Sequence, residues 1–420
     1  MDILVVGSGG REHALCWKIR QSPLTGQLWS APGNAGIAQC ATCVPIAADD
    51  ASSIVEFAVR HAVGLVVVGP EGPLTNGLAD QLRVAGVRVL GPGAAGARLE
   101  GSKTFAKEFC QRHGIPTARA VACADAAEAL DHLGDLGFPV VVKADGLAAG
   151  KGVIVAADRA EAQEAVRRLS GQGRVLLEEF LNGSECSLLF LCDGHTVIPL
   201  APARDYKRVH DGDQGLNTGG MGGFSPVPEV GIDIQREAYD HIASKVLAGL
   251  ADERIDYRGV LYAGCMLTKD GLKVLEFNCR FGDPETQVLI PRVNGDIVST
   301  LVACADGCLE DARVAWRDDV AVCVQMASRG YPAAPVTGMA IEGLEDVPGD
   351  VLVFHGGTRR EGGRFITAGG RVLGVTALGA TMAEARDRAY AGVRSIRFEG
   401  AHWRTDIAAD TTSQGKEEQQ

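Results

Sequence analysis

Short apolar runs alternate with amphipathic stretches over the first hundred residues of the chain. Runs rich in valine, leucine and isoleucine predict strands at residues 3–6, 28–30, 65–68 and 87–90. Apolar positions three and four residues apart predict helices between them, at residues 12–21, 53–62 and 74–85. This alternation is typical of a parallel α/β domain, which we place at residues 1–102. Such sheets bind ligands at the carboxyl ends of their strands.

Loops rich in glycine and proline follow the predicted strands, at residues 7–13, 32–36, 69–73 and 91–93. The first loop departs from the dinucleotide fingerprint G-x-G-x-x-G, because Glu12 stands at the third glycine position. The second strand also lacks the acidic residue that would hold a ribose. A backbone nest with Arg11 at a helix N-terminus suits a single phosphate instead.

A second pattern lies at residues 138–156, where two valine-rich runs flank a loop that carries Gly146, Gly150, Gly152, Lys143 and Lys151. The runs predict two strands, the glycines let the backbone approach a ligand, and the lysines supply charge. An ordinary glycine hairpin with solvated lysines is the alternative. We favour a cover over a polyphosphate. Residues 123–193 around it predict a small α+β lid, with helices at 126–133 and 159–169 and strands at 174–181 and 186–191.

The stretch 205–223 is so rich in glycine and polar residues that we expect a long binding loop without regular elements. Asp211 and Asp213 within it fit either metal ligands or a simple turn. Further on, Glu276 and Asn278 stand two residues apart on a predicted strand and so share one face. A carboxylate beside an amide carbonyl suits Mg²⁺, although a polar pair on an edge strand is the alternative.

The last part of the chain predicts a mainly β domain at residues 326–408. Its strands are expected at 351–355, 363–368 and 371–376, and its helix at 383–394. Residues 409–420 form a polar tail that we expect to be disordered.

Composition narrows the class of partner. The formal net charge of −12 argues against nucleic acid or an anionic membrane as the main partner. The sequence lacks both a long apolar run and a basic leader, so we expect a cytoplasmic protein rather than a secreted or membrane-spanning one. The 12 cysteines are scattered, and Cys40 and Cys43 form the single C-x-x-C, which makes a redox or zinc site a poor interpretation.

Four long motifs stand in one order along the chain: Gly-Ser-Gly-Gly-Arg-Glu-His, Lys-Ala-Asp-Gly-Leu-Ala-Ala-Gly-Lys-Gly, Asn-Thr-Gly-Gly-Met-Gly and Glu-Phe-Asn-Cys-Arg-Phe-Gly-Asp-Pro-Glu-Thr. With them the chain resembles the phosphoribosylamine–glycine ligases, also called glycinamide ribonucleotide synthetases, of the ATP-grasp superfamily. The resemblance implies an α/β ATP-grasp fold, with a central ATP-grasp domain made of residues 103–122 and 194–325. Leu216 and the pair Ala203 and Arg204 depart from the pattern of that family, which has proline and Ser-Gln there.

The resemblance also implies roles for individual residues. It implies that ATP contacts Lys103, Lys143, Gly150, Lys151, Gly152, Glu178, Phe180 and Glu185. Mg²⁺, or Mn²⁺ in its place, would lie on Glu276 and Asn278. Glycine and 5-phosphoribosylamine would contact Gly9, Gly10, Arg11, Asn34, Glu71, Asp213, Asn217, Thr218, Gly219, Arg280, Asp283, Pro284 and Glu285. Arg280 and Lys143 would be the catalytic residues.

The implied reaction starts when the glycine carboxylate attacks the γ-phosphate of ATP to give glycyl phosphate. The amine of 5-phosphoribosylamine then displaces phosphate. Three alternatives stand beside this interpretation: a Rossmann oxidoreductase, which the broken fingerprint disfavours, a nucleotide sensor without catalysis, and another ATP-grasp ligase such as a biotin carboxylase-like enzyme. The expected partners are small molecules. A monomeric state and a transient contact with the enzyme that makes phosphoribosylamine stay open.

Overall fold

The protein is described from a computed structural model, which covers residues 1–147, 152–171 and 173–409. Gly150 and Lys151 and the tail from residue 410 onward lie outside these described residues. Among the described helices, none combines the length and the hydropathy that a membrane crossing requires.

The N-terminal unit is a five-stranded parallel sheet in the order β3-β2-β1-β4-β5, as its sequence pattern predicts. Its elements are β1 (Ile3–Gly7), α1 (Gly10–Ile19), β2 (Leu28–Pro32), β3 (Thr42–Cys43), α2 (Ala51–Arg60), β4 (Leu65–Val68), α3 (Glu71–Thr75), α4 (Leu78–Val84), β5 (Val89–Leu90) and α5 (Ala94–Gly101). The single helix predicted at residues 74–85 is wrong. Gly77 interrupts it with a φ of 80°, a left-handed conformation that glycine adopts without cost.

The lid is a four-stranded antiparallel sheet in the order β6-β9-β7-β8, with its own apolar core beneath two helices. Its elements, and the helix that leads into it, are α6 (Lys103–Arg112), β6 (Ala120–Cys123), α7 (Ala126–Asp131), β7 (Val140–Ala144), β8 (Val153–Ala156), α8 (Arg159–Ser170) and β9 (Val175–Glu179). β7 and β8 pair as the two valine-rich runs predict.

A second antiparallel sheet, in the order β11-β10-β16-β17, forms the centre of the molecule. This part of the chain comprises β10 (Ser184–Asp193), β11 (Val197–Pro199), β12 (Arg204–Asp205), β13 (Arg208–His210), β14 (Gln214–Asn217), β15 (Gly222–Ser225), α9 (Ile232–Ala238), α10 (Ser244–Asp252), β16 (Arg258–Thr268), β17 (Gly271–Asn278), α11 (Glu285–Leu289), β18 (Val293–Asn294), α12 (Val298–Asp306) and β19 (Ala315–Trp316). The prediction of an irregular loop at residues 205–223 is wrong, because β13 and β14 pair as a hairpin there.

The C-terminal sheet runs in the order β12-β15-β20-β24-β21, so it includes two strands from the middle of the chain. Its remaining elements are β20 (Val320–Ala327), β21 (Val351–His355), β22 (Thr358–Glu361), β23 (Arg364–Thr367), β24 (Arg371–Gly379) and α13 (Met382–Ser395). β20 runs through the domain boundary placed at residues 325/326. The units meet around one cleft of about 1200 Å³.

Candidate active site

A buried cluster of one carboxylate and two lysines forms the lid side of the cleft. Glu178 is 2% exposed, and its two oxygens lie 3.2 Å from Lys107 Nζ and 3.0 Å from Lys143 Nζ. Glu178 pairs with Val141 across β9 and β7, so Lys143, two residues along β7, points to the same side. Lys143 also donates to the Leu275 carbonyl at 3.2 Å, which ties the lid to the central sheet.

The N-terminus of α6 is the second contact between lid and centre. Asp145, just after β7, accepts hydrogen bonds from the Ser102 hydroxyl and the Thr104 amide, each at 3.2 Å. Lys103 Nζ donates to the Gly146 carbonyl at 2.6 Å, and burial lowers the pKa of Lys103. Asp145 therefore accepts hydrogen bonds at the N-terminus of α6 from a different part of the chain. These bonds bring Lys103 against Gly146, in the loop that follows β7.

Glu276 and Asn278 project together into the cleft, as predicted, but a β-bulge produces this arrangement. Glu276 is opposite Gly264, whereas Val274 is opposite Cys265, so Leu275 is an extra residue in β17. Leu272 and Val274 before the bulge belong to the same apolar core as Phe277 after it. Without the extra residue, Glu276 would continue the buried row.

The electrostatics at Glu276 fit a bound cation. Its carboxylate makes no hydrogen bond or ion pair with any described residue, although it lines the cleft. Partial dehydration raises the pKa of Glu276, but the charges of Lys207, Lys143 and Lys103 outweigh this effect and hold that pKa below its ordinary value. A second oxygen is available on Asn278, which accepts from Arg280 at 3.1 Å. Two oxygen ligands are what Mg²⁺ takes from a protein when phosphates and water complete its shell. No larger cluster of metal-binding side chains occurs in the described part of the chain.

Arg280 is held by a carboxylate that the sequence interpretation missed. Glu100, at the end of α5, lies 2.9 Å from Arg280 NH2, and its other oxygen accepts from the Cys279 amide at 2.7 Å. Glu71 adds a contact of 3.4 Å to Arg280 Nε. Burial disfavours the cation, but Glu100 and Glu71 raise the pKa of Arg280 above its ordinary value. Arg280 therefore stays charged beside Asn278. The one signal in the sequence is that Glu100 stands two residues before Ser102, the N-cap residue of α6.

Two further cations in the cleft were also missed. Lys207 Nζ lies 3.1 Å from both oxygens of Asp205 and 3.9 Å from Glu185. Arg371, from the C-terminal sheet, pairs with Asp283 at 2.8 Å and also donates to the carbonyl of Gly219. Nothing in the local sequence marks Arg371, because β24 carries it to the cleft from a different sheet.

Most of the remaining predicted substrate residues lie around these cations. Residues that line the cleft are Arg11, Glu71, Gly152, Phe180, Glu185, Asp213, Asn217, Thr218, Gly219, Asp283 and Glu285. Glu285 is 3% exposed and accepts from Ser187 and Tyr262, each at 3.0 Å. Burial, followed by the charge of Asp205, raises the pKa of Glu285. Pro284 precedes α11 and is not among the cleft-lining residues of the described chain.

Glu12 occupies part of the phosphate nest predicted at Gly9 and Gly10. Glu12 is 1% exposed, accepts from the Gly9 amide at 2.6 Å, and pairs with Arg11 at 2.6 Å. A methyl group on Gly69 would come within 1.9 Å of the Glu12 carboxylate, and one on Gly9 within 2.8 Å. These glycines therefore make room for Glu12, which takes up the Gly9 amide, and the binding of a phosphate by this loop stays a prediction.

Asn34 was also interpreted as a substrate ligand, and the structure corrects this. Its Nδ2 donates to the carbonyls of Ser8 and His355 at 2.8 and 2.7 Å. Its Oδ1 accepts from the amides of Gly36 and Ile37, each at 2.8 Å. Asn34 is absent from the cleft-lining residues of the described chain. It joins the first loop to the C-terminal sheet.

Comparison with known proteins agrees with this geometry. Three models of the phosphoribosylglycinamide synthetase family match the chain in succession: the N domain at residues 1–100, the ATP-grasp (A) domain at 101–286 and the C domain at 321–410. A phosphoribosylamine–glycine ligase of Caulobacter vibrioides is 50% identical over 97% of both chains. The chain belongs to the phosphoribosylglycinamide synthetase family.

A second relative supports the same family, and two solved structures share the fold of this chain. A phosphoribosylamine–glycine ligase of Synechocystis is 48% identical over 97% of this chain and 99% of its own. The crystal structure of such a ligase from Thermotoga maritima superposes with a TM-score of 0.84 at 34% identity, over 97% of this chain and all of that chain. A biotin carboxylase from Campylobacter jejuni shares the fold alone, with a TM-score of 0.73 at 14% identity over 97% of this chain and 94% of that chain. The expected ATP-grasp fold is confirmed.

Proposed function

We propose that this member of the phosphoribosylglycinamide synthetase family joins glycine to 5-phosphoribosylamine at the expense of ATP, within purine biosynthesis. Glycinamide ribonucleotide, ADP and phosphate are the products. The observation that carries the proposal is Glu276, a carboxylate that has no partner among the described residues. It lies beside Asn278 in a cleft that also collects Lys103, Lys143 and Arg280. An ATP-dependent ligase needs this combination because it must neutralise phosphate charge and hold a metal.

The chain's own residues can support both halves of the reaction. Lys103 and Lys143 offer ammonium groups to the phosphates of ATP. Mg²⁺ held by Glu276 and Asn278 would neutralise the negative charge on the phosphate oxygens during transfer. The glycine carboxylate attacks the γ-phosphorus while ADP leaves. Arg280, fixed by Glu100, is positioned to stabilise the acyl phosphate. The amine then attacks the acyl carbon, and phosphate leaves with its electron pair.

We place adenine against Phe180 and the main chain of β9, and the ribose near Glu185. We propose that Glu178 acts by holding Lys107 and Lys143 in place, since both of its carboxylate oxygens pair with these lysines. The phosphate of the amine would lie between Arg11 and Arg371, because Arg11 keeps an NH2 group that no described residue accepts from. This arrangement is an alternative to the glycine nest as the phosphate site.

Further parts of the proposal concern setting and partners. Mn²⁺ should replace Mg²⁺, since both are bound by oxygen ligands. A cytoplasmic location is supported by the twelve cysteines, all of which are free thiols. We propose the domain division 1–102, 103–122 with 194–325, 123–193 and 326–408, but with the lid ending before β10, which belongs to the central sheet, and the last domain beginning before β20. We also propose a monomer that meets the phosphoribosylamine-producing enzyme transiently.

The deciding experiment measures ADP release with ATP, Mg²⁺, glycine and freshly generated phosphoribosylamine. ADP formation should require both glycine and the amine. Bicarbonate in place of glycine tests the biotin carboxylase-like alternative. ADP formation that depended on bicarbonate, or that needed neither substrate, would overturn the proposal.

A further inference from the structure

A segment near the C-terminus contacts a hairpin that lines part of the cleft. We call residues 208–217, formed by β13 and β14, the substrate hairpin, and residues 402–408 the clasp. Arg208, Asp213 and Asn217 of the hairpin line the cleft. The clasp lies nearly two hundred residues further along the chain, so the contact depends on the folded C-terminal sheet.

Arg404 is the centre of the clasp. It is 1% exposed, and its guanidinium stacks over the Tyr206 ring with 4.8 Å between carbon and ring centroid. Its NH1 donates to Asp213 Oδ1 at 2.7 Å and to the Arg208 carbonyl at 3.2 Å. The other edge of the guanidinium pairs with Asp406 at 2.7 and 2.6 Å. One rigid fork thus joins the first strand and the turn of the hairpin to the clasp.

Contacts on either side of Arg404 strengthen this link. Asp406 also accepts from the Gly212 amide at 2.8 Å. The Thr405 amide donates to Asp211 at 2.8 Å, and the Thr405 hydroxyl donates to the same carboxylate. His402 Nε2 lies 2.7 Å from the Val209 carbonyl, so that nitrogen carries the proton. The Asp211-x-Asp213 pattern, which fits either metal ligands or a turn, is therefore used to hold the clasp.

The turn of the hairpin needs such support. Gly212 has a φ of 65° and Asp213 a φ of 54°, and the left-handed conformation is unfavourable for a residue other than glycine. Arg404 engages one oxygen of Asp213, and the other oxygen has no partner among the described residues. An oriented carboxylate with one free oxygen at the cleft suits an ammonium group.

We propose that Arg404 is a positioning residue that orients Asp213, and with it the substrate hairpin, for the amino-acid substrate. The inference rests on the proposed function, because it deepens the role of the same cleft. Lys103, Lys143 and Glu276 belong to other elements. The clasp should therefore affect glycine and leave ATP alone.

The test compares Arg404→Lys with the matched control Arg292→Lys. Arg292 is also buried, at 5% exposed, and it donates to Ser225 and to the Asp319 carbonyl away from the cleft lining. A lysine keeps the charge and loses the fork. Arg404→Lys should raise the KM for glycine about tenfold and change the KM for ATP less than twofold, since tenfold corresponds to one charge-assisted contact. Arg292→Lys should leave both KM values unchanged.

A readout without substrates separates this inference from the proposed function. Amide hydrogen exchange of residues 208–217 should be about tenfold faster in Arg404→Lys than in the parent or in Arg292→Lys. A parent enzyme without glycine-dependent ADP release would overturn the function, and the exchange rates would still decide on the clasp.

A double-mutant cycle with Asp213→Asn completes the design. Asp213 is 70% exposed in its side chain, so this variant should fold even if Arg404→Lys does not. It should raise the KM for glycine and speed exchange in the hairpin. Combining it with Arg404→Lys should add little to either effect, because both act through one link. Fully additive effects, equal changes in the KM for ATP, or unchanged hairpin exchange would each overturn the proposal.

Discussion

Two parts of the molecule use their polar groups in opposite ways. In the part formed by the lid and the central sheet, Glu276 has no protein partner among the described residues, and Lys103 contacts a single carbonyl. In the loops of the N-terminal unit, Glu12 occupies part of the glycine nest, and Asn34 uses both ends of its amide on backbone groups.

The difference separates two uses of glycine-rich loops. In one, glycine brings the backbone close to a ligand. In the other, it brings the backbone close to the protein's own side chain, as at Gly69 and Glu12. Both kinds of loop have the same glycine-rich composition, so composition alone does not distinguish them. The count of unpaired polar groups distinguishes them, because a buried group that already has its partners gains nothing from a ligand. The same Glu→Gln substitution should therefore lower activity at Glu276 and lower stability at Glu12.

The largest effect is expected from Glu276→Gln. The amide keeps the shape and removes the charge, so kcat should fall at least about a hundredfold, and half-saturation should need far more Mg²⁺. Unfolding by urea should be nearly unchanged, because Glu276 forms no hydrogen bond or ion pair with any of the described residues. Glu237→Gln is the matched control, since Glu237 accepts from the Leu272 amide at the start of the same strand, and it should behave as the parent. Parental Mg²⁺ dependence in Glu276→Gln would remove Glu276 from the metal site.

The same substitution in the N-terminal unit, Glu12→Gln, should act on stability. It breaks a buried ion pair with Arg11, so the free energy of unfolding should fall by about 3 kcal/mol. Denaturant unfolding measures this change. Glu56→Gln removes an exposed pair with Arg60 and should cost less than about 0.5 kcal/mol. If the two variants were equally stable, the Glu12 carboxylate would not be the group that holds this loop.

Arg11→Lys tests a charged group of the N-terminal unit that lines the cleft. Lysine can keep the contact with Glu12, but it lacks the second guanidinium nitrogen that is proposed to bind the phosphate. The KM for phosphoribosylamine should therefore rise about tenfold. The KM for ATP should change less than a few-fold because the nucleotide residues belong to other elements. Steady-state kinetics with each substrate varied in turn gives both values. A rise in the KM for ATP alone would mean that the N-terminal unit does not bind the amine.

The sequence pattern predicted most of the elements and the shared face of Glu276 and Asn278, whose binding of a metal stays a prediction. The strand at residues 65–68 was predicted with its observed bounds, since a short valine run between loops has one interpretation. The shared face of Glu276 and Asn278 follows from strand periodicity, but the bulge at Leu275 that turns them out of the core leaves no local pattern. Glu100 and Arg371 were missed because only tertiary packing brings them to the cleft.

The smallest effect concerns pH and the contact between the N-terminal unit and the C-terminal sheet. His13 is 7% exposed, and its Nδ1 accepts from the His355 amide at 2.8 Å, which requires the neutral ring. Burial, and then the charge of His355, lowers the pKa of His13 from 6.5 to about 3. Burial also lowers the pKa of His355 to about 4.

Between pH 6.5 and about 3 the unfolded chain therefore binds a proton at His13 that the folded chain does not bind. Stability must rise with pH across this window and fall as the solution is acidified, by about 1.4 kcal/mol per pH unit from this group. His13→Asn keeps an acceptor for the His355 amide and cannot titrate, so its stability should depend on pH less steeply by that amount. Urea unfolding at several values between pH 4.5 and pH 7 measures the slope. His132→Asn should leave the slope below pH 6.5 unchanged, because the hydrogen bond to Asp135 raises the pKa of His132 and its effect on stability is therefore lost only above pH 6.5. Parallel curves for His13→Asn and the parent would show that His13 does not couple the two units to pH.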